Sequence, residues 1–251
     1  MIKFFRKIRQ QLLSQNRFSK YLIYAIGEIV LVVIGILIAL SINSWNNNIQ
    51  ETKELHNFLE NIKKNIQEDL VNIDEMKTRR ISSIERSEKY TEFVHSEQDE
   101  STDYEEMVTI SYQLFKDWTF KSNKSGFEAL KNSGFLRKLS STNLENIINR
   151  YYYVVEEILE QERSLNNTIE SLQIHTYNDN ILQELHKLEE MENKHLYFSE
   201  HKAEIRKIIS HPSLLGANHR NIKTYNIVEF YSELEELGND IVVEVNTIIK
   251  Q

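Results

Sequence analysis

From Tyr21 to Ile42 the chain reads YLIYAIGEIVLVVIGILIALSI, 22 residues with a single charge at Glu28. At ~1.5 Å per residue a helix of this length reaches ~33 Å, enough to cross a hydrocarbon core of ~30 Å. The competing reading is a cleaved secretory signal, with Ala39-Leu40-Ser41 imitating a small-x-small cleavage site. Signal h-regions run only ~7–15 residues. This run is longer and contains Glu28, so a retained transmembrane helix over residues 21–45 is expected.

The charge on the two sides of this run differs in sign. Residues 1–20 hold six bases (Lys3, Arg6, Lys7, Arg9, Arg17, Lys20) and no acid, whereas residues 46–251 hold 24 bases and 37 acids, a net of −13. The positive-inside rule then puts the N-terminus in the cytoplasm and residues 46–251 outside it. Tyr21 and Tyr24 at one end and Trp45 at the other suit the two aromatic belts of a bilayer. Within residues 1–20, Ile2, Phe4, Phe5, Ile8, Leu12 and Leu13 recur at helical spacing among the bases. A basic amphipathic segment with Lys3, Arg6, Lys7 and Arg9 on the anionic leaflet is one reading, and a bare topology signal is the other. The acidic remainder lacks the basic face that phosphates require, so nucleic acid is not an expected partner.

Composition decides the fold class. The chain has 6 Gly and 1 Pro, against average usage of roughly 7% and 5%. Sandwiches, barrels and α/β folds use both residues to punctuate their turns, so a chain this poor in them is expected to be all-α: one N-terminal transmembrane helix followed by an extracytoplasmic helical bundle over residues 46–251. Leu55, Leu59, Ile62, Ile66, Leu70 and Ile73 are spaced 4, 3, 4, 4 and 3, an a/d-like stripe, and Met76, Ile81, Ile84 and Phe93 extend it toward residue 95. A polar loop over 96–103 follows, then a helix over 104–117 and an irregular stretch from Thr119 to Ser141 holding one short helix. Thr142-x-x-Glu145 reads as a capping box that opens a long helix through Leu172. Helices over 178–193 and 199–209, a break at Pro212 and Gly216, and a closing helix over 218–250 complete the expectation.

Glu28 needs a reason to sit in an apolar helix, where a carboxylate costs roughly 2.5–3.5 kcal/mol on insertion scales. At ~100° per residue, Glu28, Gly35 and Ala39 fall on one face, and Gly35-x-x-x-Ala39 is a small-x-x-x-small pair that admits a close helix neighbour. An oligomer seam, a side chain reaching back to the cytoplasmic interface and an ion-linked role are the three readings of Glu28.

Signatures of chemistry are few. The sequence has no cysteine, no H-E-x-x-H, no G-x-S-x-G and neither glycine-rich nucleotide cradle, so neither a catalytic centre nor a cofactor is expected. His195 and His201, or His211 and His219, could at most form a weak metal site, with ordinary surface or turn histidines as the simpler reading. Tyr151-Tyr152-Tyr153 point about 100° apart on a helix and divide between core and surface. Phe115, Trp118, Phe120, Phe127 and Phe135 gather around the irregular stretch; core packing is the plain reading, and a partner groove lined by Phe115, Trp118, Phe127 and Phe135 the sharper one.

The run Ala25-Ile26-Gly27-Glu28-Ile29-Val30-Leu31-Val32-Val33-Ile34-Gly35-Ile36-Leu37-Ile38-Ala39-Leu40, with Ile42-Asn43-Ser44-Trp45-Asn46, resembles the N-terminal signature of a family of bacterial single-pass membrane proteins, frequent in the Bacteroidota and described as a domain of unknown function. Ile2-Lys3-Phe4-Phe5-Arg6-Lys7-Ile8-Arg9, Leu130-Lys131-Asn132-Ser133-Gly134-Phe135-Leu136 and Tyr151-Tyr152 also match its patterns. The resemblance implies an inner-membrane protein with a helical periplasmic domain and brings no activity with it. The expected function is a membrane-anchored, non-catalytic interaction or sensory module, partnered with the membrane and with itself or another membrane protein; its ligand is not specified. An accessory subunit of an envelope complex and a periplasmic hydrolase are the alternatives.

Overall fold

The computed structural model describes residues 18–96, 104–140, 142–192 and 194–250, and every regular element among them is helical. In chain order these are α1 (Phe18–His95), α2 (Tyr104–Gln113), α3 (Ser125–Ser133), a 3-10 helix (Phe135–Leu139), α4 (Asn143–Asn178), α5 (Ile181–Glu190), α6 (Lys194–Glu200), α7 (Lys202–Ile209), α8 (Pro212–Ile222) and α9 (Tyr225–Ile249). The chain divides into two units, Met1–Asn57 and Phe58–Gln251.

In the first unit the described residues form helix alone. Its most apolar 18-residue window has a mean hydropathy of 2.8 and is 0% buried, and among the described residues this is the one helix long and apolar enough to cross a membrane. The expected basic segment, with Lys3, Arg6, Lys7 and Arg9, lies outside the described residues.

The second unit is built on three long helices. The stripe on α1 buries Leu59, Ile62, Ile66, Ile73, Met76, Ile84 and Phe93. Asp69 meets Tyr151 and Arg80 meets Glu162, so α4 runs parallel to α1. Lys63 meets Asn246 and Lys77 meets Glu235, so α9 runs antiparallel to it. Gly238 of α9 faces Ile66 and Leu70 of α1, and a Cβ there would touch Leu70 Cδ2 at 3.0 Å. The interior of α4 completes the core with Ile148, Tyr151, Val155 and Ile158. Around the end of α1, the hydroxyl of Tyr90 donates to the carbonyl of Ile209 and lies 3.1 Å from Ser111 Oγ, and Asn218 of α8 donates to Thr91.

Thr142 caps α4 as its sequence implies, its Oγ1 accepting from the Glu145 amide at 3.2 Å. The tyrosine run divides as expected: Tyr151 and Tyr152 are buried and Tyr153 is exposed. Other boundaries move. Pro212 starts a helix instead of ending one, because its missing N–H is an orphan at the first helical position. Gly216 lies inside that helix against Leu172, and the breaks fall at Ser210–His211 and at Lys223–Thr224. The expected helix over 104–117 ends at Gln113, and the one over 199–209 is two, α6 and α7. Ile81 is exposed, and its neighbour Arg80 is turned into the core.

Gly126 is fixed by space. A Cβ there would lie 2.7 Å from Asn65 Oδ1 and 2.9 Å from the backbone nitrogen of Ile62, which cannot yield as a side-chain tip can. Gly126→Ala is therefore expected to cost about 1–3 kcal/mol in urea unfolding of the detergent-solubilised chain. Gly238→Ala meets only flexible side chains and should cost less.

Candidate functional site

Between α2 and α3 the chain passes through Lys116–Lys124 without regular structure. Where such a segment turns inward, as at Phe120, its amides and carbonyls must find partners. Here side chains of α1 and α4 supply them. The amide of Phe120 donates to Glu162 Oε2 at 2.7 Å, and the carbonyl of Trp118 accepts from Arg80 Nη2 at 3.0 Å and from Asn166 Nδ2 at 3.2 Å. The amide of Asn123 donates to Asp69 Oδ1 at 2.9 Å, and the Ser122 hydroxyl to Asp69 Oδ2 at 2.5 Å. Farther on, the Gly126 amide donates to Asn65 Oδ1 at 2.8 Å.

Arg80 and Glu162 are 1% and 0% exposed and stand 3.3 Å apart. Tyr231 donates its hydroxyl to the same Glu162 oxygen. Burial and the Glu162 carboxylate beside it both raise the Tyr231 pKa, so the phenol keeps its proton as the donor. The Trp118 ring lies over the Arg80 guanidinium, 5.2 Å from ring centroid to Cζ, and Phe120 meets Tyr231 edge to face. Nothing in the apolar periodicity pointed to Arg80 or Glu162. The one available signal was that Arg80 occupies a core-facing position of the α1 stripe, between Met76 and Ile84.

The four aromatic residues singled out in the sequence each take a different partner. Phe127 stacks on Tyr152 at 4.2 Å, Phe135 tilts against Phe58 at 5.6 Å, and Trp118 covers Arg80. Phe115, buried, lines an open cleft of about 300 Å³ with Tyr112, Gln173, Tyr177, Leu182, Gln183 and His186, drawn from α2, α4, α5 and the turn after α2. Only Phe115 of the four belongs to that cleft, and Tyr112, Tyr177 and His186 are additions that helical periodicity could not place there.

In the first unit Glu28 lines a shallow groove with Ala25, Ile29, Val32 and Val33. Apart from its neighbours and the backbone of its own helix, nothing lies within 4 Å of the place a Cβ of Gly35 would take, and Gly35 and Ala39 are both exposed. Tyr24 and Trp45 are also exposed, and the Tyr21 side chain lies outside what is described. Of the histidines, His211 accepts from the Ser213 amide through Nδ1, with Nε2 3.3 Å from Asp179. Among the described residues no group of three His, Asp or Glu is placed to hold a metal ion.

Because Arg80 and Glu162 are both buried, removing either strands the other. Arg80→Ala and Glu162→Ala are each expected to destabilise the chain by about 3–5 kcal/mol, and Tyr231→Phe by about 1–2 kcal/mol, in urea titrations followed by circular dichroism. Burial outweighs the donors around Asp69 and raises its pKa above the usual 3.8. The native state then holds that proton more tightly than the unfolded chain, so this group's contribution to stability increases as pH falls through its raised pKa. The wild type should gain stability relative to Asp69→Asn between pH 7 and about 4, and parallel pH profiles would contradict the assignment.

No curated protein and no solved structure matches the chain. Residues 28–195, about two thirds of the sequence, match a family of unknown function, DUF6090. The matched region contains the Lys116–Lys124 segment, Asn65, Asp69, Arg80, Glu162 and the whole cleft, and leaves out α7, α8 and α9 with Tyr231. The chain is a member of this family of unknown function, DUF6090.

Proposed function

We propose that the protein is a single-pass, non-catalytic interaction or sensory module of the bacterial cytoplasmic membrane. Its N-terminus lies in the cytoplasm, its helical unit outside receives a ligand or partner, and it self-associates through the span. The observation that carries this reading is the helix of the first unit, whose apolar window is wholly exposed and which bears Glu28, Gly35 and Ala39 on one face. An exposed apolar surface of that length needs lipid or another helix around it. The close approach permitted at Gly35 and Ala39 favours a second helix on that face, where two Glu28 carboxyls can share a proton and a hydrogen bond. The orientation rests on the six bases before the span and the acidic remainder.

One observation favours a second reading. A carboxyl in a span also pairs with a cation or donor on a different protein's helix, which would make this chain an accessory subunit of an envelope complex.

The chain has no cysteine, so each introduced one is the sole thiol. In native membranes Ala39→Cys is expected to form a disulfide-linked dimer under mild oxidation, and Leu37→Cys, about 180° round the helix, is not. Adding Glu28→Gln should preserve the Ala39→Cys dimer, and adding Glu28→Leu should weaken it. Equal crosslinking at both positions, or none at either, would remove self-association through this face. An impermeant thiol reagent should label a cysteine in the outer unit of intact spheroplasts, and protection there would reverse the orientation.

A further inference from the structure

We propose that the cleft formed by α2, α4 and α5 binds a small organic ammonium ion, quaternary or alkyl-substituted. The proposal rests on the preceding reading only in taking the outer unit to be a receiver of ligands.

Phe115 and Leu182, both buried, form the floor of this cleft of about 300 Å³, which lies at the lower end of small-molecule sites. Tyr112 and Gln173 are half-buried above them, and Tyr177, Gln183 and His186 stand at the exposed rim. Three of the seven lining residues are thus aromatic, and none is Lys or Arg. Aromatic faces attract cations through their quadrupole.

The field at the cleft also selects for positive charge. Tyr112 lies in the last turn of α2, and Tyr177 in the last turn of α4, so two helix C-termini with their partial negative charge end beside it. The N-terminus of α5 has the opposite sign and about half a unit charge at most. Its Lys187 is paired with Glu184 at 2.6 Å, and His186 lies 3.5 Å from Glu190. Glu190 stands beside the cleft through His186, and burial first, then Glu189, Glu190 and Tyr177, raise the Tyr112 pKa. Aromatic lining, the Glu190 carboxylate and two helix C-termini together favour a cation over an anion or a neutral solute.

The test uses the full chain in a maltoside detergent, which carries no ammonium group, titrated calorimetrically at constant ionic strength. Tetramethylammonium and choline are expected to bind saturably, and the uncharged carbon isostere of choline is not. Tyr177→Ala, at an exposed position, should weaken ammonium binding by about threefold or more, and Glu189→Gln with Glu190→Gln should weaken it further, with helix content unchanged. Absence of saturable ammonium binding overturns the proposal, as does an unaltered affinity in Tyr177→Ala. Equal binding of the uncharged isostere also overturns it, yet leaves the outer unit a receiver of apolar ligands.

Discussion

The Arg80–Glu162 pair is the contact on which the second unit turns. It joins α1 to α4 at a point where both side chains are withdrawn from water. Two charges in such a place cost much free energy unless hydrogen bonds compensate them. The carbonyl of Trp118, the amide of Phe120 and the hydroxyl of Tyr231 supply these, and Arg80 Nε is left without a partner among the described residues. One ion pair therefore fixes two long helices, the irregular segment between α2 and α3, and α9. Asp69 and Asn65 repeat the device about three and four turns nearer the start of α1, on Ser122, Asn123 and Gly126. A chain almost without proline and glycine has few ways to shape a loop, and here polar side chains of the neighbouring helices shape it instead.

This arrangement has a consequence for function. The stretch from Trp118 to Phe135 is held by buried and part-buried hydrogen bonds, and its residues Trp118, Phe127 and Phe135 are taken up by Arg80, Tyr152 and Phe58. An accessible concavity lies beside it, where α2 and α4 end and α5 begins. In the reading proposed above, a rigid three-helix frame presents that cleft outside the cytoplasm, and the span associates the frames with one another.

Much of the architecture was legible as apolar periodicity. The α1 stripe from Leu59 to Phe93, the Thr142 cap and the division of Tyr151, Tyr152 and Tyr153 all follow from helical geometry. What periodicity cannot show is which polar residue on a core-facing position will be buried with a partner 82 residues away, as Arg80 is with Glu162. It also reads Pro212 as a break when the same fixed φ suits a helix start. The cleft was illegible for a similar reason. Tyr112, Phe115, Tyr177 and His186 come from three separate stretches, and only tertiary packing brings them together.

The proposed role of the anchored chain is association, with copies of itself and with what its outer unit receives. Affinity purification of the intact protein from its native membrane, with the mass of the recovered particle and every bound component determined, examines that role. A particle containing at least two copies of the chain, with or without a further bound component, is expected. A single copy with nothing bound would overturn the proposal.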